Sequence, residues 1–280
     1  MTRIWLCADD YGISPSVNAA IRDLVVRGRL NATSVMVVAP SFHRSEALAL
    51  QALNANAQHS NAQRVAIGLH VTLTAPFRPL SEGFRPLRDG AFVPLGTLLL
   101  RAGLRSLEPD ALVTEITRQV RVFAEQFGRP PDFIDGHQHV QLFPQVRDAL
   151  LAVARREAPA AWVRQCGRAH PSRHPFNDRK GLLLDVLSRG FRRRAAALGV
   201  RTNPAFAGTY TFRDQADFAA TFPHFLDGLP DGSVVMCHPG FVDSELQKLD
   251  PLTTLREQEY AFLVQDAFPG LLARHGVALV

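Results

Sequence analysis

The stretch Ile134-Asp135-Gly136-His137-Gln138-His139-Val140 puts one carboxylate and two imidazoles at alternate positions of an apolar run. Side chains two apart on a strand share a face, so as the end of a buried strand this stretch brings Asp135, His137 and His139 to one spot. Imidazole with carboxylate is the donor chemistry of a divalent metal held by nitrogen and oxygen. Two more apolar runs give out at ionisable groups: Arg3-Ile4-Trp5-Leu6-Cys7-Ala8 leads into Asp9-Asp10-Tyr11-Gly12, and Val65-Ala66-Ile67-Gly68-Leu69 leads into His70. A fourth run, Val234-Val235-Met236-Cys237, leads into His238-Pro239. Proline biases the preceding residue to extended geometry and stops the strand, which presents the His238 imidazole at its end. Ligand, general acid and structural residue are all open to His238; the acid is the favoured role.

Something must hold these groups at one rim. Apolar runs near 3–7, 33–38, 65–71, 132–136, 161–164, 204–207, 233–237 and 276–280 alternate with stretches of helical period. Ser14-Pro15, then Val17, Ile21, Leu24 and Val25, then Gly28 reads as a helix with a cap, a first-turn proline and a terminating glycine. Within 109–128, Leu112, Ile116, Val120, Phe123 and Phe127 form one amphipathic stripe ending at Gly128. Strand and helix alternating throughout predict the α/β class with a parallel sheet, a (β/α) barrel or an irregular relative of one. In such folds the C-terminal rim of the strands is where sites are built. The segment 74–96, rich in Pro, Gly and Arg, follows His70 and is read as a long loop serving as a lid or substrate wall. Asp9 and Asp10 are not needed as helix caps, because Ser14-Pro15 supplies one. Gly12 and Gly68 are expected to serve backbone geometry.

The 280 residues, 46% hydrophobic and 20% charged, suffice for a sizeable core and fit one domain over 1–280. No run of about 18 apolar residues could span a bilayer, and the aspartates at 9 and 10 interrupt the opening before it could serve as a signal peptide, so a cytoplasmic enzyme is the expectation. Cys7, Cys166 and Cys237 lack CxxC spacing and are expected as buried apolar residues. The net charge of +5 comes from 31 basic against 26 acidic residues, and the densest basic cluster is Arg189, Arg192, Arg193 and Arg194. This is read as a solvated helix face rather than a nucleic-acid surface; an acidic substrate or a lipid surface would fit it equally. His43, His59, His170, His174, His224 and His275 lack ionisable company and are left as surface or structural residues. Association into a homodimer is left open.

Taken together, Ala8-Asp9-Asp10-Tyr11-Gly12, Gly68-Leu69-His70-Val71-Thr72-Leu73-Thr74, Asp135-Gly136-His137-Gln138-His139-Val140 and Met236-Cys237-His238-Pro239-Gly240-Phe241-Val242-Asp243 resemble the YdjC-like carbohydrate deacetylases, which include diacetylchitooligosaccharide and hopanoid-biosynthesis deacetylases. The four motifs stand in the family's order over 8–243. The resemblance implies a distorted (β/α) barrel of the glycoside hydrolase/deacetylase type, one divalent metal ion (magnesium or zinc) and hydrolysis of acetyl groups from N-acetylated sugars. Matched position by position, it makes Asp10, His70 and His137 the metal ligands and Asp9 the catalytic base, although the sequence alone does not order the two aspartates. His238 would protonate the leaving amine. Asp135 would orient an imidazole, and His139 would do likewise or touch the sugar. Family members often carry a further histidine where this chain has Gln141, a departure that bears on the role of that position and on the usual sugar specificity and not on the metal triad. Rival readings are a metal-dependent hydrolase of another bond, such as a phosphoester or cyclic amide, and a non-catalytic sugar- or metal-binding protein.

Overall fold

In the computed structural model, residues 1–60, 64–170, 179–210 and 216–280 are described, without the side chains of 56–60 and 179. His174 and the His59 side chain lie outside the described residues. In chain order the elements are β1 (Thr2–Tyr11), α1 (Pro15–Val26), β2 (Ala32–Val35), α2 (Arg44–Ser60), β3 (Ala66–Val71), a small hairpin of β4 (Leu87–Arg88) and β5 (Ala91–Phe92), α3 (Leu95–Gly103), α4 (Pro109–Phe127) and β6 (Phe133–Gly136). A 3-10 turn at His137–Leu142 follows, then α5 (Pro144–Glu157), β7 (Trp162–Val163), α6 (Arg179–Ala197), β8 (Phe206–Ala207), α7 (Phe218–Phe225), β9 (Ser233–Cys237), α8 (Leu246–Leu249), α9 (Thr254–Leu263), α10 (Phe268–Arg274) and β10 (Val277–Leu279).

Every pairing in the main sheet is parallel, in the order β7-β6-β3-β2-β1-β9-β8, with β10 joined to β1. Since β9 pairs with β1 across Ile4–Ala8, β10 at Thr2–Ile4 and β2 at Cys7–Tyr11 must divide its opposite edge between them. The sheet curls until its two ends nearly meet. A parallel bridge joins Val163 to Thr202, and the Phe206 N–H donates to the Gly167 carbonyl at 3.0 Å. This is a distorted (β/α) barrel with helices outside, and each of the eight expected apolar runs supplies one of the strands of its sheet among the described residues.

Local chemistry explains the elements that flank the site. The Ser14 hydroxyl accepts from the Val17 N–H at 3.3 Å, capping α1 above a first-turn proline. The predicted stripe of α4 is buried at all five positions, and Gly128 ends the helix with φ 65°. Gly68 departs from expectation. It sits in ordinary strand backbone, and what requires glycine is space: a Cβ there would lie 2.4 Å from the Phe133 ring, which stacks on Trp162 with centroids 4.5 Å apart. At Gly12, φ is 102°, the backbone reason expected.

The segment 74–96 is not a bare loop. It carries the β4–β5 hairpin and runs into α3. The buried Glu115 of α4 pins it, accepting from the Leu80 N–H at 3.1 Å, the Ser81 N–H at 2.8 Å and the Ser81 hydroxyl at 2.6 Å. A carboxylate that caps loop amides favours a fixed wall over a swinging lid. Arg189, Arg192, Arg193 and Arg194 are exposed, and the three cysteines are free and buried. Among the described residues no helix is long and apolar enough to cross a membrane.

Candidate active site

Adjacent residues of a regular strand face opposite sides, so a strand ending in Asp-Asp should present only one carboxylate to a given spot. Here both line one cavity of about 240 Å³. The reason is a break in the β1–β2 register between Ala8 and Tyr11, where Asp10 takes φ 67°. An irregularity of this kind re-aims side chains, and a non-glycine residue in the left-handed region carries strain of order 1–3 kcal/mol that persists where the surroundings hold it. The result is two buried carboxylates from consecutive residues with different neighbours.

Asp10 meets the histidines. Its Oδ1 lies 3.2 Å from His70 Nε2 and 3.0 Å from His137 Nδ1, and the donor atoms of these three buried residues all lie within 4.8 Å of one another. His70 comes from β3 and Asp10 from β1, while His137 stands immediately after β6. The reading of Asp135, His137 and His139 as alternate residues of one strand is overturned, because β6 stops at Gly136. Gln138 and His139 are left-handed, with φ 54° and 60°. Asp135 therefore turns to a different imidazole, accepting from His70 Nδ1 at 2.6 Å. Ser34 also touches that nitrogen, at 3.0 Å. Burial alone would discharge His70, but Asp135 and Asp10 on its two nitrogens, with Asp9 nearby, hold its pKa up at about 10.

His139 turns away from the triad. Its Nδ1 lies 3.6 Å from the Cys166 Sγ, and its ring stands edge-on to Phe206. Burial, with the positive charge of Lys180 and Arg164, pushes its pKa down to about 3, so it stays neutral. It still lines the cavity, as do Gln138, Lys180, Asp250 and the apolar Leu95, Met236 and Leu252.

Asp9 is gripped by a residue that the sequence reading passed over. Arg164, wholly buried, donates Nη1 to Oδ2 at 2.6 Å and Nη2 to Oδ1 at 2.7 Å, and its Nη2 is also 2.7 Å from Asp135 Oδ2. Burial raises the Asp9 pKa, but Arg164 and His70 outweigh it and bring it to about 2. Cys7, Asp9 and Asp135 also form a cluster with metal-ligand spacing, yet the Arg164 Nη2 sits among all three, 3.0 Å from the Cys7 Sγ, and already supplies the positive charge. A second buried arginine, Arg256 of α9, holds the far oxygen of Asp10 through Nη2 at 2.6 Å. Arg164 ends the apolar run 161–164, so the strand-end rule that singled out Asp9, His70 and His238 would have found it too. Arg256 sits in a helix far along the chain, and nothing in its spacing marks it.

His238 follows β9 and lines the same cavity. Its backbone N–H donates to Glu259 Oε2, and Tyr210 Oη donates to Glu259 Oε1 at 2.6 Å. Burial is the main cause that lowers the His238 pKa to about 4, against the opposing pull of Asp10 and Asp9, so the ring is neutral at rest. Burial also lifts the Glu259 carboxyl to about 7.

The donor set fits a divalent cation. Asp9, Asp10 and Asp135 are all buried, with Arg164 and Arg256 as the guanidiniums beside them. With Asp250, which shares Arg256, these carboxylates outnumber the guanidiniums, and a proton on His70 offsets part of the excess. Positive charge is favoured where the Asp10, His70 and His137 donors meet, and a bound cation would supply it there.

Comparisons with known proteins agree along the chain. A family model described as "YdjC-like protein" matches residues 3–274. A protein of Vibrio vulnificus (strain YJ016) named carbohydrate deacetylase is 27% identical over 281 residues, covering 96% of this chain and 91% of that protein. One of Yersinia pestis (strain Pestoides F) named chitooligosaccharide deacetylase is 26% identical over 274 residues, covering 97% and 94%. Among solved structures, a candidate cellobiose-phosphate cleavage protein of Enterococcus faecalis V583 superposes with a TM-score of 0.73 at 22% identity, covering 100% of this chain and 97% of that one. A Streptococcus mutans CE4 esterase does so with a TM-score of 0.51 at 14% identity, covering 100% and 85%. The two structural likenesses speak for the fold.

Proposed function

The chain belongs to the YdjC-like protein family, and from that premise we propose that it is a hydrolase that removes acetyl groups from N-acetylated carbohydrates with one divalent cation. The observation that carries this reading is Asp10 Oδ1 set between His70 Nε2 and His137 Nδ1 on a cavity that Asp9 and His238 also line. Relatives named carbohydrate and chitooligosaccharide deacetylases supply the substrate class.

Asp10, His70 and His137 would hold the cation. An acetamide is a poor electrophile and water a poor nucleophile, and a divalent cation bound there would supply Lewis acidity toward both. Two imidazoles to one carboxylate is a donor set suited to zinc, whereas magnesium would need waters to complete its oxygen shell.

The remaining steps fall to the chain's own residues. Asp135 fixes the tautomer and orientation of His70 by taking its Nδ1 hydrogen at 2.6 Å. Asp9, held ionised and oriented by the fork of Arg164, accepts a proton from the attacking water. A carboxylate with a pKa near 2 keeps that proton poorly and passes it on within the turnover. His238, neutral at rest, is the group that can take up a proton and deliver it to the leaving nitrogen, a service worth about 10² to 10⁴ in rate. Water's hydroxyl ends on the acetyl carbon and its proton on the amine. Leu95, Met236 and Leu252 give the cavity an apolar side suited to the acetyl methyl.

The test is acetate release from N-acetylglucosamine oligomers, acetylated amino sugars and a glycolipid headgroup, with and without chelator. Acetate that disappears on chelation and returns with added zinc or magnesium is the expected result. Metal uptake with no acetate from any of them would overturn the reading in favour of a binding protein or a hydrolase of another bond.

A further inference from the structure

Resting on the metal reading above, we propose that Arg256 is a positioning residue that restricts Asp10 to a single ligand oxygen and so keeps the cation's remaining positions open for water and substrate. A carboxylate can ligate through one oxygen or both. Three protein donors with an open position are the mark of a catalytic zinc site, and four donors that of a closed structural one. If Asp10 offered both oxygens beside His70 and His137, the chain would fill a tetrahedral shell by itself. The Asp10 Oδ2 is instead taken by Arg256 Nη2 at 2.6 Å, which leaves Oδ1 as the oxygen facing the imidazoles.

Arg256 is itself held by several partners. The same Nη2 is 2.8 Å from Asp250 Oδ2, Nε donates to the Leu252 carbonyl at 2.9 Å, and the Arg256 carbonyl accepts from the Gly240 N–H at 3.1 Å. The guanidinium is fully buried, where a charge–carboxylate contact is screened least. Asp250 and Leu252 both line the cavity, so the arm that restrains Asp10 is anchored in the cavity's own wall. A positive charge beside a ligand also opposes cation binding. The arrangement gives up affinity and keeps open coordination positions.

The test uses the full chain with Co(II) alone as probe, because its visible spectrum reports coordination number. Arg256→Gln should bind Co(II) about tenfold more tightly, by removal of a repelling charge. In the same variant two-oxygen ligation by Asp10 beside one retained water would raise the coordination number from four to five, so the visible band should weaken, and with the position for substrate taken its kcat for acetate release should fall at least tenfold. Arg256→Gln leaves Asp250 and Asp10 without their cation and could fail to fold. Arg256→Gln/Asp250→Asn removes one charge of each sign, so the gain in affinity should largely cancel while the spectral change remains. If the double variant has the spectrum of the unaltered chain, and only its thermal midpoint drops, Arg256 is a fold residue and the proposal is overturned. Weaker Co(II) binding in Arg256→Gln would overturn it as well. Absence of Co(II) uptake by the unaltered chain would remove the metal reading and this inference with it, an outcome distinct from the other two.

Discussion

Consecutive aspartates with different partners make a test at the scale of single residues. Asp10 shares its Oδ1 with two imidazoles, whereas both oxygens of Asp9 are engaged by Arg164. Asp10→Asn, His70→Ala and His137→Ala should each lose metal and activity together, measured by metal content and acetate release. Asp9→Asn should keep the metal and lose kcat by about 10² or more; an Asp9→Asn protein emptied of metal would exchange the two roles. His238→Ala should cut turnover on an N-acetyl sugar by about 10² with metal content intact, and much less on nitrophenyl acetate, whose leaving group needs little protonation. Equal losses on both substrates would remove the acid role. The residues named in these tests were legible in the sequence because each ionisable group interrupts an apolar run. The difference within the Asp9-Asp10 pair was not, since it depends on how each is held: Arg164 takes both oxygens of Asp9, whereas Arg256 takes one of Asp10 and leaves the other to the imidazoles.

At the scale of elements, two departures from regular geometry do the aiming. A register break in β1 turns both aspartates into the cavity, and a left-handed pair at Gln138 and His139 ends the line of β6 just where His137 must face Asp10. The apolar runs made the described strands of the barrel readable. Period alone carries no sign of a bulge or of a left-handed turn outside glycine, which is why the convergence of Asp135, His137 and His139 was expected on the wrong geometry. Gly68 tests how tightly β3 is fitted against β6. Gly68→Ala would press a methyl into the Phe133 ring at 2.4 Å and disturb its stack on Trp162. Destabilisation of about 1–3 kcal/mol is expected by urea unfolding. Wild-type stability in Gly68→Ala would show that the β3–β6 contact yields more easily than a packed core should.

For the molecule as a whole, Glu259 is a buried carboxyl beneath the His238 backbone, and its pKa of about 7 against an ordinary 4.5 links stability to pH. Between those values the folded chain keeps a proton that the unfolded chain has released, so this contribution is complete below about pH 4.5 and is lost as pH rises through 7. Glu259→Gln should flatten that part of the curve of thermal midpoint against pH from 5 to 8, relative to the parent; parallel curves would mean that Glu259 titrates as an exposed residue does. The pairing of β1 with both β9 and β10 acts on the same whole-molecule scale, during synthesis. On the ribosome, Thr2–Ala8 emerges long before its partners Ser233–Cys237 and Val277–Leu279, and the Arg256 that hydrogen-bonds to Asp10 also emerges late. Such distant pairings form slowly. A nascent chain therefore carries Asp9, Asp10 and His70, and from its midpoint His137, without the strands and arginine that complete their surroundings, and on the cation reading proposed above premature capture by a half-made barrel is a hazard that any host producing it must outpace.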